Sequence, residues 1–190
     1  KLKKEINYRN YINMPSKILL NTIENSDLII NFGTRYIKGY VIDLLLNKKT
    51  INIHMGIAPF YRGNASNFWA SFDQNFNLIG STIHFLSKGL DSGRIINTLS
   101  PKLNDMKLGL FSMYAVKQTH KFISNEKYLK RIINQKGYIQ KNNLLIRYTK
   151  KIEFNENVLR KYYKFNFHNN SIKDLMTKNN YLKTKNHKLI

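Results

Sequence analysis

Thr50-Ile51-Asn52-Ile53-His54 alternates polar with apolar residues, and Met55-Gly56-Ile57-Ala58-Pro59-Phe60-Tyr61-Arg62-Gly63 follows directly. The alternation predicts a strand, since successive side chains on extended backbone point to opposite faces. Asn52 and His54 then share a face. Gly56, Pro59 and Gly63 punctuate the stretch that follows as a loop. Open α/β sheets bind their ligands where strands end in loops. A polar pair at that position is more informative than one in mid-strand.

The flanking sequence predicts the rest of such a fold. Asp27-Leu28-Ile29-Ile30-Asn31-Phe32 is an apolar run closed by Gly33, as expected of a buried strand. Residues 36–46 carry Ile37, Tyr40, Val41 and Leu44 or Leu45 at helical spacing. Residues 64–73 predict a short helix with Phe68, Trp69 and Phe72, and Gly80 to Leu86 and Arg94 to Leu99 predict two more strands. Strands alternating with short helices indicate an α/β, Rossmann-like fold with a mostly parallel sheet. Lys107 to about Asn134 predicts one long helix, Gly137 a break, and Asn143 to Tyr148 a strand. The expected division is a catalytic core over 1–134 and a basic C-terminal extension over 135–190, with 169–190 fraying.

Composition narrows the class. The chain has 190 residues, 42% of them hydrophobic, which fits a globular fold rather than a disordered one. No apolar run reaches the roughly 18 residues a membrane helix needs. Zero Cys excludes disulfides and thiolate metal sites, and with no secretory signal it points to the cytoplasm. His54, His84, His120, His168 and His187 show no ligand spacing, so no metal is expected. The net charge of +21 invites a nucleic-acid reading. However, the chain holds 26 Asn, 25 Lys and 23 Ile, all residues with A/T-rich codons. Residues 51–96 hold Arg62, Lys88 and Arg94 against Asp73 and Asp91, so the stretch with the polar pair is close to neutral.

A third polar group follows the next strand. Asp91 lies within Gly89-Leu90-Asp91-Ser92-Gly93, whose glycines let backbone come close to a ligand. An amide, an imidazole and a carboxylate at neighbouring strand ends suit acyl transfer: oxyanion donor, proton carrier and orienting group. By spacing alone, a solvated His54 and an Asp91 that caps its own turn remain open.

The residues carry a resemblance. Ile51 to Gly63 resembles the N-x-H…L-P-x-Y-R-G signature of the 10-formyltetrahydrofolate-dependent formyltransferases. Gly80-Ser81-Thr82-Ile83-His84-Phe85, then Gly89-Leu90-Asp91-Ser92-Gly93 and Ile95, resembles that family's second block, G-x-T-x-H…D-x-G-x-I. The resemblance covers about 25 to about 125. It implies 10-formyltetrahydrofolate as formyl donor, with Asn52 bonding the formyl oxygen, His54 stabilising the tetrahedral intermediate and moving the amine proton, and Asp91 holding the geometry. Tyr36, Ile37 and Lys38, with Ser87, Lys88, Gly89 and Leu90, fall on its folate segments. Ile37 can equally be helix core. Met55, Arg62, Gly63 and Asn67 would face the substrate. Arg62 either meets an anionic group or braces its loop, His84 fits a family position or packs structurally, and Trp69 reads as core.

Two departures stand out: Met55-Gly56 replaces the usual Pro after the histidine, and Lys88 stands where an acidic residue is common. The family resembled opens with a strand and a Gly-rich turn that this sequence does not show, so a truncated enzyme, inactive or poorly stable as it stands, is expected. Arg62-Gly63…Asn67-Phe68-Trp69 resembles the loop of sugar N-formyltransferases, which points to a nucleotide-linked amino sugar as the amine. Methionyl-tRNA and glycinamide ribonucleotide enzymes are the alternatives, and a formyltetrahydrofolate hydrolase keeps the same three residues. The reading from another class is a basic RNA-binding module on an inactive scaffold, with Tyr162, Tyr163, Phe165 and Phe167 as stacking surfaces. No membrane partner is expected, and the sequence leaves the oligomeric state open.

Overall fold

A computed structural model describes residues 16–102, 105–165 and 169–178. Phe167, His168, His187 and most of the stretch expected to fray lie outside them. Helix α1 (Lys17–Glu24) is capped by Ser16, whose side chain accepts from the Leu19 amide, and strand β1 (Ile29–Phe32) leads to α2 (Tyr40–Leu46). The second helix is shorter than its spacing predicts because Gly39 stands before it at φ 65°. Ile37 therefore precedes the helix, yet its side chain is buried among Leu19, Ile23, Val41 and Leu45.

The decisive strand is β2 (Thr50–His54), and all five of its residues are buried. It pairs in parallel with β1 and antiparallel with β4 (Ser81–Phe85), which pairs antiparallel with β5 (Ile95–Leu99). The order is β1-β2-β4-β5. The expected mostly parallel sheet is thus corrected to a mixed one among the described residues. For β5 the physical reason is chain length: it is joined to β4 only by residues 86–94, and a parallel crossover needs a dozen or more. Ile51 and Ile53 pack with Ile83, Ile96, Ile123 and Ile132. That face lies under α4 (Leu108–Ile123) and α5 (Glu126–Ile133). The single helix expected over 107–134 is broken there. Ser124 bonds back to the His120 carbonyl, and Asn125 accepts from the Tyr128 amide as a new cap.

Strand β3 (Tyr61–Gly63) precedes α3 (Ser66–Phe72). It pairs not with the main sheet but with β6 (Arg147–Thr149). The strand expected over 143–148 thus shrinks, and residues 142–144 form a helical turn instead. Helices α6 (Glu156–Lys164) and α7 (Ile172–Lys178) follow. Tyr162, Ile172, Leu175 and Met176 join Tyr61, Trp69, Phe76 and Phe111 in one buried cluster. The later segment therefore docks on α3, and Tyr162 is core rather than a surface for stacking bases. Arg147 holds Asp73 with two bonds, at 2.6 and 2.5 Å, while its guanidinium lies 4.7 Å from the Trp69 ring centre.

Candidate active site

Register builds the site. Asn31, Asn52 and His84 lie opposite one another on β1, β2 and β4, one polar row across three strands. Asn31 Nδ2 donates to Asn52 Oδ1 at 2.6 Å, which turns the Asn52 NH2 the other way. That NH2 donates to Asp91 Oδ1 at 3.2 Å and lies 3.0 Å from His84 Nε2. His84 Nδ1 faces the Phe85 carbonyl oxygen at 2.8 Å. The neutral imidazole with its proton on Nδ1 satisfies both contacts: it donates to Phe85 and accepts from Asn52.

His54 is placed differently. Its Nδ1 is 3.2 Å from Asp91 Oδ2 and its Nε2 is 2.9 Å from the Tyr61 carbonyl oxygen. Both neighbours accept, so only the imidazolium donates to both. Burial pushes the His54 pKa below its usual 6.5, while the Asp91 charge pulls it up and His84 adds to the downward push. A neutral ring here keeps one lone pair beside an acceptor, and an arriving proton finds its partner already in place. Gly56 leaves the ring room, since a Cβ there would sit 2.6 Å from His54 Nε2.

Asp91 arrives from the loop between β4 and β5 with φ 49°, a left-handed backbone that Asp tolerates better than most residues. Burial alone would raise its carboxyl. The charge of His54, that of His84 when its ring is protonated and turns Nε2 toward Oδ1 3.6 Å away, and the Gly63 N–H at 2.9 Å outweigh burial and bring it down to about 2. Gly63 thus reaches the cluster through its backbone. Its φ of 95° is left-handed, and a Cβ would collide with the Thr149 carbonyl oxygen.

The fold brings Asn52 and His54 each into direct contact with Asp91. It also brings the two expected folate segments together: Tyr36 Oη donates to the Lys88 carbonyl at 2.8 Å, and Lys88 Nζ lies 2.8 Å from Asp43. Ser87 Oγ and Ser92 Oγ, 2.9 Å apart, close the loop that holds Gly89 and Leu90. Tyr36 and Lys38 are exposed; Ile37 has committed its side chain to the core and offers only backbone. Met55 is exposed just beyond His54. Arg62 is buried, gives Nη2 to Asn142 Oδ1 at 3.1 Å and has a buried Nε without a partner among the described residues. Asn67 does not join the cluster. Its Nδ2 donates to the Gly80 carbonyl and its Oδ1 accepts from the Gly80 amide, at 2.9 and 3.0 Å, so both ends fasten α3 to β4.

Two neighbours of the site, Asn31 and Asn142, lack any sequence signal. Each is one asparagine among 26. Only strand register places Asn31 opposite Asn52, and only the β3–β6 pairing carries Asn142 near Arg62.

Residues 22–107 match the family described as Formyl transferase. Formyltetrahydrofolate deformylase 1, mitochondrial, of Arabidopsis thaliana is 41% identical over 87 residues, 43% of this chain and 25% of that protein. Formyltetrahydrofolate deformylase 2, mitochondrial, of the same plant is 36% identical over 69 residues, 36% of this chain and 19% of that protein. The chain therefore matches a quarter or less of the length of these curated relatives. Among solved structures, the formyltransferase PseJ from Anoxybacillus kamchatkensis, in complex with UDP-4,6-dideoxy-4-formamido-L-AltNAc and tetrahydrofolate, shares the fold. Its TM-score is 0.64 at 24% identity, covering 88% of this chain and 84% of that one.

Proposed function

We propose that this chain, whose residues 22–107 carry a formyl transferase segment, moves a formyl group from 10-formyltetrahydrofolate to a primary amine. The amine we favour is that of a nucleotide-linked amino sugar. The observation that carries the reading is that Asn52 and His54 both meet Asp91, at 3.2 Å on either side of its carboxylate. The nucleotide sugar held by the Anoxybacillus structure supports the choice of amine.

The donor fits the two segments already joined by the Tyr36–Lys88 bond. Backbone groups of Tyr36 to Lys38 and of Ser87 to Leu90 would hold it, and when bound it supplies the formyl carbon. Asn52 then exchanges its longer bond, the one to Asp91, for the formyl oxygen as charge develops there. His54 takes the proton that the attacking nitrogen loses as the new C–N bond forms, and Asp91 and the Tyr61 carbonyl receive the resulting imidazolium. The same proton is available to the departing folate nitrogen. Arg62, whose charge reaches His54, is the cation we assign to an anionic part of the substrate.

The deformylase relatives support a second reading, in which water replaces the amine. One assay separates the two. Tetrahydrofolate release is followed with a nucleotide-linked amino sugar, glycinamide ribonucleotide, methionyl-tRNA or no acceptor. Release that requires the amino sugar is the expected result. Equal release without any amine would replace transfer by hydrolysis.

A further inference from the structure

Gln140 lies outside the matched segment and far along the chain from the reacting groups, yet its amide is spent on the loop that carries Asp91. Its Nε2 donates to the Asp91 carbonyl at 2.8 Å and to the Gly93 carbonyl at 2.7 Å. Both N–H groups are therefore used on the two sides of Ser92. The side chain is 8% exposed. Its Oε1 is buried and has no partner among the described residues, so the donor end is what fixes this residue type.

The backbone around Gln140 is itself held. Tyr138 and Ile95 exchange both backbone bonds, at 2.7 and 2.8 Å. Arg94 Nε donates to the Lys136 carbonyl at 2.7 Å and Arg94 Nη2 to that of Gly137 at 2.9 Å. Two residues beyond Gln140, Asn142 accepts from Arg62. Residues 136–142 thus form a strap from one site loop to the other, with Gln140 reaching down at its middle.

We propose that Gln140 is a positioning residue for the Asp91 carboxylate: by clamping the carbonyls of Asp91 and Gly93 it holds the left-handed Asp91 backbone, and so aims the carboxylate at His54 and Asn52. The proposal rests on the formyl-transfer reading for its catalytic consequence, but not for its structural one. A left-handed non-glycine residue persists only where its surroundings over-determine it. Two short bonds on its own carbonyl and the next but one supply that constraint. Without them Asp91 relaxes toward extended backbone, and its carboxylate leaves Gly63 N–H and His54 together.

The test uses the full chain with Gln140→Met, which keeps length and volume but removes both donors. Asp91 and His54 are followed by carboxyl and imidazole NMR across pH, beside turnover. The expected result is an Asp91 carboxyl that climbs from about 2 toward its ordinary 3.8 and a His54 that titrates lower as it loses its anion. Turnover should fall at least tenfold, mostly in kcat rather than KM. Ile132→Val, a core truncation under the opposite face of the sheet, lowers stability and should move neither titration. If Gln140→Met does not fold, Gln140→Leu is read instead; it is uncharged, close in volume and also lacks the donors. Unchanged titrations in a folded variant overturn the positioning role, whatever the chain transfers. Shifted titrations in a protein that transfers nothing would support the clamp and break the functional reading alone.

Discussion

Residues 50–93 and residues 136–149 meet over the same two loops and do opposite work there. The first stretch supplies Asn52, His54, His84 and Asp91, four side chains whose chemistry leaves little choice of residue. The second supplies no reacting group. It grips backbone: Gln140 holds the carbonyls of Asp91 and Gly93, Thr149 Oγ1 donates to the Asn64 carbonyl at 2.7 Å, and the Asn64 amide donates to the Thr149 carbonyl at 2.9 Å. Carbonyls can be gripped by many side chains and by backbone alone. Chemistry therefore leaves a sequence signature and fastening does not. The family match ends at 107, before the strap begins.

Substitutions that separate chemistry from fastening put the contrast at risk. Asn52→Ala removes the proposed oxyanion donor and should lower kcat about 10²–10³-fold, or about 3–4 kcal/mol, in a folded protein. A mere loss of folding, seen by circular dichroism, would place Asn52 among the fasteners. Next comes Gly63→Ala, where left-handed backbone and the Thr149 carbonyl both oppose a Cβ. It should cost about 2–4 kcal/mol in urea unfolding; a cost below 1 would show that the strap yields freely.

Acid should expose the polar cluster. Asp91 titrates at about 2 folded against an ordinary 3.8, so its stabilisation is complete above about 3.8 and is lost as pH falls toward 2. The loss is on the order of 2 kcal/mol, and Asp91→Asn should flatten that part of the pH–stability curve. Arg147→Lys keeps the charge but loses the paired bonds to Asp73 and the stacking on Trp69. It should cost about 1 kcal/mol by thermal unfolding and leave the His54 titration in place. Lys130→Ala, in the exposed pair with Glu126 on α5, should change stability by less than about 0.5 kcal/mol.

Legibility followed the same divide. The alternation over Thr50 to His54 announced β2 and the common face of Asn52 and His54. The glycine-flanked Asp91 announced the third group. The mixed sheet was hidden because strand direction follows from where a connection must end, and periodicity within a strand carries no direction. The break between α4 and α5 was hidden because Ser124 and Asn125 act through cap bonds that an apolar periodicity does not register. Asn67 misled for another reason: it stands in a motif-like stretch, but its amide closes on Gly80.

The sequence by itself determined which groups are present near the site: an amide and an imidazole two apart on one strand face, and a carboxylate between glycines. It also determined that this stretch is nearly neutral within a chain of net charge +21. Only the tertiary structure decided how those groups are held. Asn31 turns the Asn52 amide, two acceptors bracket His54, and Gln140 reaches the Asp91 loop from 49 positions away. The physical reason is that reactivity is a property of side-chain type, which the chain spells out. Orientation is a property of hydrogen bonds between strands and loops, which exist only once register and packing have brought their partners together.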